Sequence, residues 1–149
     1  MQLSQPETAE EFAQYYELRW RILRHPWGQA RGSEQDMEEA SSYHLVARDG
    51  QQVIGVARLQ FPTDDAAQLR YMAVADAWQG KGIGREIVKH MEGIARQQGA
   101  HQLFLHARDN ALGFYRKLGY EIVEPSYLLF ASIQHYKMQK NLQDRQGKL

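Results

Sequence analysis

The feature that most constrains this chain is the glycine-rich segment WQGKGIGREI, residues 78–87, which places three glycines within five positions. A strand-like run precedes the segment, and apolar residues at helical spacing follow it. At a strand-to-helix junction, glycines let the backbone approach a ligand closely, and the first amides of the helix are unpaired and partly positive. The segment therefore predicts an α/β arrangement with either a phosphate-binding loop or a glycine-rich turn that holds no ligand.

Two widespread phosphate loops do not fit this segment. A Walker-type loop needs Ser or Thr after its lysine, but Lys81 is followed by Gly82. A dinucleotide fingerprint, G-x-G-x-x-G, fails in both frames because its sixth position falls on Arg85 or Ile87. Residues 79–84 instead read Q-x-x-G-x-G. A nucleotide-binding protein with one of the two widespread loops is therefore the weakest of the alternatives.

The other periodicities predict the order strand, helix, three strands, helix, strand, helix, strand, strand. Thr8 and Glu11 have the spacing of a capping box, and Pro26 is expected to end the first helix. The later predicted elements are residues 43–48, 53–61, 67–74, 83–98, 102–107, 111–118 (capped by Asp109 or Asn110), 120–124 and 134–142. A three-strand meander followed by two strand–helix crossovers predicts a mixed α/β sheet.

Composition excludes several classes of function. The 149 residues carry 18 Lys and Arg against 18 Asp and Glu, so nothing in the net charge favours nucleic acid or an anionic membrane as partner. The chain has no cysteine, which excludes disulfides, thiolate metal sites and a cysteine nucleophile. Without a membrane-spanning run or a secretion signal, we expect a cytoplasmic protein. Residues 1–142 are expected to form one domain, and 143–149 a loose tail.

The glycine loop and its flanks resemble the GNAT superfamily of acyl-CoA-dependent N-acetyltransferases. The resemblance implies a central, mostly antiparallel, splayed β-sheet flanked by helices. It also implies that the loop binds the pyrophosphate of acetyl-CoA through Gln79, Gly80, Lys81, Gly82, Ile83, Gly84 and Arg85. The preceding residues Met72, Ala73 and Val74 fall where the family binds pantetheine through backbone groups, in the manner of an added strand.

A second stretch, NALGFYRKLGYE, resembles the other family motif, N-x-x-x-x-F/Y-Y-x-x-x-G-F/Y. Asn110 falls where the family has a polar residue near the cofactor, and Tyr115 falls on the tyrosine beside the thioester sulfur. Taken alone, the Phe114-Tyr115 pair would more often be core. The final strand also resembles, more loosely, the ElaA-type branch, whose pattern G-I-P-H-x-x-M-x-K is matched at His135, Met138 and Lys140 but not at Ser132 or Gln134.

The resemblance implies an enzyme that moves an acetyl group from acetyl-CoA to a primary amine of a small molecule or peptide. Because there is no cysteine, transfer is expected to be direct, within a ternary complex. Tyr115 would protonate the departing thiolate or donate a hydrogen bond to it. The alternative is a non-catalytic acyl-CoA-binding regulatory module. A homodimer is an open alternative to a monomer.

The acceptor and the general base stay open at this level. The base candidates are Glu38, Glu39, His44, His106, Asp109 and His135, and the acceptor-binding candidates are Trp27, Glu38, Glu39 and His135. The acidic run EQDMEE either attracts a cationic amine or is a solvated loop face. The aromatics Tyr15, Tyr16 and Trp20 either line the acceptor cleft or form core, and Arg70 and Arg108 are possible partners for an acidic acceptor group. No histidine spacing indicates a metal site.

Overall fold

The structure is a computed structural model that describes residues 1–142; the predicted tail, 143–149, lies outside the described residues. Within them are three helices, α1 (Ala9–Leu23), α2 (Ile83–Gln97) and α3 (Leu112–Lys117). The strands are β1 (Gln2–Ser4), β2 (Tyr43–Asp49), β3 (Gln52–Gln60), β4 (Ala66–Val74), β5 (Gln102–Arg108), β6 (Glu121–Leu129) and β7 (Ile133–Asn141). The predicted order of elements is thereby confirmed. None of the helices in the described range is long and apolar enough to cross a membrane.

The seven strands form one sheet in the order β1-β2-β3-β4-β5-β7-β6. The pairs β1–β2, β2–β3, β5–β7 and β6–β7 are antiparallel, and β4–β5 is parallel. The mixed, mostly antiparallel α/β sheet is therefore confirmed. Over the described residues, β4 pairs with β5 only through 66–68, although β4 continues to Val74. The last six residues of β4 are thus without a β5 partner in the register of the sheet.

Contacts divide the chain into two compact units. The first unit comprises Met1–Gln60 and Leu69–Met91, and the second comprises Phe61–Gln68 and the residues from Glu92 onward. The strand β4 and the helix α2 contribute residues to both.

The first unit is built around α1 and the β2–β3 hairpin. The predicted capping box is present, with Thr8 Oγ1 accepting from Glu11 N at 3.1 Å and Glu11 Oε1 accepting from Thr8 N at 3.1 Å. The apolar side of α1 packs on the strands in a core that includes Tyr15, Leu18, Val46, Val53, Val56 and Ala73. The helix ends at Leu23, and Pro26 sits in the short turn that follows, because proline cannot continue the helical hydrogen bonds.

Helix α2 packs closely on β3 through a glycine. A Cβ at Gly55 would meet Ile87 Cδ1 at 2.9 Å and Ile83 Cγ2 at 3.2 Å, so a side chain here would require both isoleucines to shift. Because α2 begins at Ile83, at the end of the glycine-rich loop, this contact fixes the position of that end of the loop against β3.

Two sequence-based expectations for the second unit are corrected. Asp109 and Asn110 do not cap α3. The N-cap residue is Ala111, which makes no side-chain cap hydrogen bond within the described chain, and Asp109 and Asn110 lie in the preceding 3₁₀ turn, Asp109–Ala111. Strand β6 runs to Leu129 rather than stopping at residue 124. Pro125 made the shorter strand the natural prediction, but β6 is an edge strand, where a missing N–H is tolerated.

Candidate active site

The glycine loop is held in a conformation that only glycine adopts readily. Gly80 and Gly82 have φ values of +78° and +86°, in the left-handed region. A Cβ on either residue would meet no described atom within 4 Å. The space beside both glycines is therefore open, and the requirement for glycine comes from the backbone and from whatever occupies that space.

The loop is anchored at both ends. Gln79 Nε2 donates to Val74 O at 3.0 Å, which ties the loop to the end of β4. Gly82 O accepts from Glu86 N at 3.1 Å, so Gly82 is the residue at which the first turn of α2 starts. Ile83 is buried next to it, whereas Lys81 and Arg85 are exposed. The first amides of α2 consequently face an open rim that carries two cationic side chains, an arrangement suited to an anion.

A 3₁₀ turn, Asp76–Trp78, joins the end of β4 to this loop. Ala73 is buried, while Met72 and Val74 on either side are partly exposed. Ala75 N donates to Ile54 O at 2.8 Å, which continues the attachment to β3 after β4 has ended. Tyr71, the residue before Met72, has φ +55°, an unusual value for a residue with a side chain.

An arginine–carboxylate cluster lies in the same unit. Arg58 donates to Asp36 Oδ1 and to Glu39 Oε2, both at 2.6 Å, and Arg19 donates to Glu39 Oε2 at 2.9 Å. Both arginines are 0 % exposed. The hydrogen bond from Arg58 is the main cause that holds the pKa of Asp36 at about 2. Part of the acidic run is therefore neutralised internally, and its interpretation as a solvated face is wrong for Asp36 and Glu39; Glu38 is exposed.

A buried hydrogen-bond chain fixes the tautomer of His44. Its Nε2 lies 2.7 Å from Glu39 O, an acceptor, so Nε2 carries a proton. In the neutral imidazole Nδ1 then accepts from Tyr15 Oη at 2.6 Å, and Arg19 Nη2 donates to the same hydroxyl at 2.6 Å. Desolvation lowers the pKa of His44, with smaller opposing contributions from Glu39. Both ring nitrogens are engaged, so His44 is a core residue and is removed from the candidate bases.

The aromatic residues of α1 divide between core and surface. Tyr15 is fully buried, and Trp20 Nε1 donates to Gln29 O at 3.0 Å. Trp27, in the turn after α1, is 40 % exposed. The core interpretation holds for Tyr15, while Trp27 lies at the surface.

In the second unit, Tyr115 lies on α3 with 9 % of its surface exposed. Its ring packs edge-on against Phe114 at 4.9 Å and Tyr120 at 5.9 Å between ring centres. Burial raises the pKa of Tyr115 above its ordinary value, so the phenol stays protonated at neutral pH. Asn110 is exposed in the turn before α3.

His135 lies on β7 and is 5 % exposed. Its Nδ1 is 2.9 Å from Ile133 O, an acceptor, so this nitrogen carries a proton and Nε2 is the basic nitrogen of the neutral ring. Tyr127 of β6 stacks on the imidazole at 4.4 Å with an interplanar angle of 13°. Tyr127 was not singled out by the sequence, because it lies in the part of β6 that the sequence did not predict.

The sequence model of the Acetyltransferase (GNAT) family matches residues 12–120, a range that contains the glycine loop and Tyr115. The chain belongs to the GNAT acetyltransferase family. It is an acetyl-CoA-dependent acyltransferase of the N-acetyltransferase type.

Relatives and solved structures agree with this assignment. The chain is 32% identical over 108 residues to YjcF, an uncharacterised N-acetyltransferase of Bacillus subtilis. The matched region covers 72% of this chain and 76% of YjcF. The fold of this chain is similar to that of a candidate N-acetyltransferase from Lactobacillus plantarum, with TM-score 0.84, 22% identity and coverage of 95% of this chain and 97% of the other. It is also similar to an aminoglycoside 6'-N-acetyltransferase complexed with coenzyme A, with TM-score 0.81, 17% identity and coverage of 97% and 99%.

Two residues of this acetyltransferase are prominent in the structure but were not emphasised by the sequence. Arg58 lies inside the mostly apolar segment VIGVARLQF, and Tyr71 directly precedes the predicted pantetheine-binding residues. The only available signal was the charged side chain at position 58 in a strand that is buried along most of its length.

Proposed function

We propose that this acetyltransferase transfers the acetyl group of acetyl-CoA to a primary amine of a small molecule or peptide, directly and in a ternary complex. The observation that carries the proposal is the open glycine loop at the start of α2, which follows the end of β4 after a single 3₁₀ turn. Residues 1–142 would act as one acetyltransferase domain. A cytoplasmic location and the choice between monomer and homodimer stay predictions.

The donor site is proposed to use backbone groups first. The amides at the start of α2 and around Gly80, Gly82 and Gly84 would bind the pyrophosphate, with Lys81 and Arg85 at the rim. Gln79 would hold the loop against β4 through its bond to Val74 O. The backbone of residues 72–74 would pair with the pantetheine amides, which is supported by the end of the β5 pairing at residue 68. Asn110 is proposed to lie near the cofactor, as the family motif implies.

Tyr115 is proposed to act on the departing thiolate. Because burial raises its pKa, complete proton transfer to a thiolate, whose thiol has a pKa of about 8.5, is further uphill than for an exposed phenol. A hydrogen bond that strengthens as negative charge develops on sulfur needs no such transfer. We therefore assign Tyr115 the role of hydrogen-bond donor to the sulfur, with the proton finally supplied from solvent or from the acceptor ammonium.

The acceptor is proposed to meet Trp27, Glu38 and His135. Trp27 and Glu38 are exposed, and donation by Nδ1 of His135 to Ile133 O makes Nε2 the proton-accepting nitrogen of the neutral ring. Glu39 is the weakest of the four original candidates, since Arg19 and Arg58 already bind its carboxylate. Selectivity among acceptors should follow substitutions at Trp27 and Glu38, with acetyl-CoA affinity unchanged.

The loop assignment is tested by coenzyme A binding in two matched variants. Gly82→Ala should weaken binding by about tenfold or more, about 1.4 kcal/mol, because its Cβ would enter the space proposed for the pyrophosphate. Gly99→Ala is the control, since Gly99 also has a positive φ, +90°, and open surroundings, but ends α2 instead of starting it. Equal calorimetric affinities for the two variants would contradict the loop assignment.

Turnover is tested with a panel of amines, by measuring the coenzyme A thiol that is released.

The role of Tyr115 is tested by single-turnover rates. Tyr115→Phe keeps the ring and its packing but removes the hydroxyl, so acetyl-CoA binding should be nearly unchanged. The rate of the chemical step should fall by about 10²-fold or more, the low end of the cost of removing one hydrogen-bond donor to a developing negative charge. An unchanged rate would make Tyr115 a packing residue. Binding of acetyl-CoA without transfer to any amine would favour the non-catalytic module.

A further inference from the structure

Tyr71 interrupts the side-chain alternation of β4. Ala67, Leu69 and Ala73 are buried at every second position, but Tyr71, which continues that series, is only partly buried. Its φ of +55° lies in the left-handed region and turns the side chain away from the core-facing series. Such a conformation is unfavourable for a residue with a side chain, and persists only where the surroundings enforce it.

The surroundings of Tyr71 are a cage of guanidinium groups. The ring centre lies 4.4 Å from Arg19 Cζ, 4.8 Å from Arg58 Cζ and 4.9 Å from Arg70 Cζ, with Arg24 Cζ at 5.6 Å. These distances are within the range of cation–π attraction, which is stronger where the cation is desolvated. The hydroxyl of Tyr71 donates to Asp36 Oδ2 at 3.3 Å.

The cage is itself immobilised by ion pairs. Arg58 is bound by Asp36 and Glu39, and Arg19 by Glu39 and by the carbonyl of Glu34 at 3.0 Å. Two completely buried guanidinium groups that are paired in this way cannot move without leaving a buried charge unpaired. The ring of Tyr71 is therefore clamped, and the clamp fixes the backbone dihedral that would otherwise relax.

The residue that follows this clamped position is Met72, the first of the three proposed to meet pantetheine and the thioester. We propose that Tyr71 is a positioning residue, which sets the direction of the backbone amides of residues 72–74 toward the acetyl group of bound acetyl-CoA. The proposal rests on the proposed donor site. It gives the acidic segment around Asp36 and Glu39 a function other than attraction of an amine, namely to hold the arginine cage on Tyr71.

The key comparison is between Tyr71→Leu and Tyr71→Phe. Leucine removes the ring that the guanidinium groups contact, so the backbone can relax and the amides lose their direction. We expect kcat to fall by roughly 10- to 100-fold, since small misplacements of reacting groups cost up to about 10²-fold, with the dissociation constant of acetyl-CoA within about threefold of the original. Phenylalanine keeps the ring in the cage and should restore kcat to within about threefold of the original.

Phe12→Leu is the control for a loss of stability alone. Phe12 packs against Tyr15, Tyr16 and His44 in the same unit, so its truncation should destabilise this unit as well. At a temperature well below the unfolding of all variants, Phe12→Leu should retain the original kcat. If Tyr71→Leu also retains it, or loses no more than Phe12→Leu, the proposal is overturned.

A readout without turnover separates this proposal from the proposed function. The carbonyl ¹³C resonance of acetyl-CoA labelled at the thioester carbon should move downfield on binding, because backbone amides donate to its oxygen. In Tyr71→Leu it should return toward the position of free acetyl-CoA, and in Tyr71→Phe it should stay at the bound position. Failure of the original protein to bind acetyl-CoA would refute the proposed function. Binding with the same ¹³C shift in all three proteins would refute the role of Tyr71 alone.

Discussion

The two units of this acetyltransferase each contain a buried ionic network, and the networks differ in how completely they are satisfied. In the second unit, Lys140 Nζ donates to Glu92 Oε2 at 3.1 Å and to Leu118 O at 2.8 Å. Glu92 also accepts from Tyr120 Oη at 2.8 Å. The ammonium group of Lys140, which has three donors, thus bonds the carboxylate of Glu92 on α2 and the carbonyl at the end of α3. None of the described residues in this network has a positive φ.

In the first unit the network is larger and less relaxed. Arg19 and Arg58 share Glu39, yet the Nε atoms of both are buried without a hydrogen-bond partner among the described residues. Three arginines, Arg19, Arg58 and Arg70, meet two carboxylates, so the group holds more positive than negative charge. A strained tyrosine sits at its centre. The contrast indicates that one network fastens elements together, while the other is maintained at a cost in stability, as expected next to the backbone proposed to bind the acetyl donor.

The largest effect is expected on cutting the first network at Arg58. Arg58→Met leaves Asp36 and Glu39 short of a partner and should reduce the free energy of unfolding by about 3–5 kcal/mol. Arg31→Met is the control, because Arg31 is 64% exposed and pairs with Glu17 at the surface, where a pair contributes about 0–1 kcal/mol. Urea unfolding of both variants measures the difference. Equal losses would mean that the buried arginine contributes no more than a surface one.

A smaller loss is expected from the second network. Lys140→Met should reduce the free energy of unfolding by about 2–3 kcal/mol, below the range for fully buried pairs, because the lysine side chain is 27% exposed. Lys137→Met on the same strand is the matched control, since its ammonium lies 4.9 Å from the centre of the Phe104 ring and contributes about 0.5–1 kcal/mol. Activity measured well below the unfolding temperature should be unaffected in both, which would distinguish this network from the one around Tyr71.

The smallest effect is a pH dependence that belongs to the first network. The pKa of Asp36 is about 2 in the folded protein, below its ordinary value of 3.8, mainly because Arg58 donates to it. A lowered folded-state pKa means that the stabilisation is complete above about pH 4 and is lost as the pH falls toward 2. Asp36→Asn should reduce the slope of the unfolding free energy measured between about pH 2 and 5, by the part that Asp36 contributes. If the variant retained the slope of the original protein, other carboxylates would be responsible for it.

Much of this protein could be predicted from local sequence patterns. The capping box at Thr8, the alternation of the meander strands and the glycine loop before Ile83 each depend on residues within a few positions of one another. For that reason α1, the β2–β3 hairpin and the start of α2 agree with expectation. Strand β6 and the cap of α3 were mispredicted where a local rule was outweighed, by an edge position that tolerates Pro125 and by a 3₁₀ turn that uses Asp109 and Asn110 as turn residues.

The sequence by itself determined the order of the elements, the glycine loop and the family motifs, because periodicity and short spacings carry that information. Only the tertiary structure decided that the acidic run binds Arg19 and Arg58, and that Tyr71 is clamped in a left-handed conformation. The ion pairs between the acidic run and the two arginines join residues 19 to 22 positions apart, such as Arg58 with Glu39 and with Asp36. A run of charges does not specify its partners; the burial of two arginines by α1 and β3 does, since a buried cation must be paired.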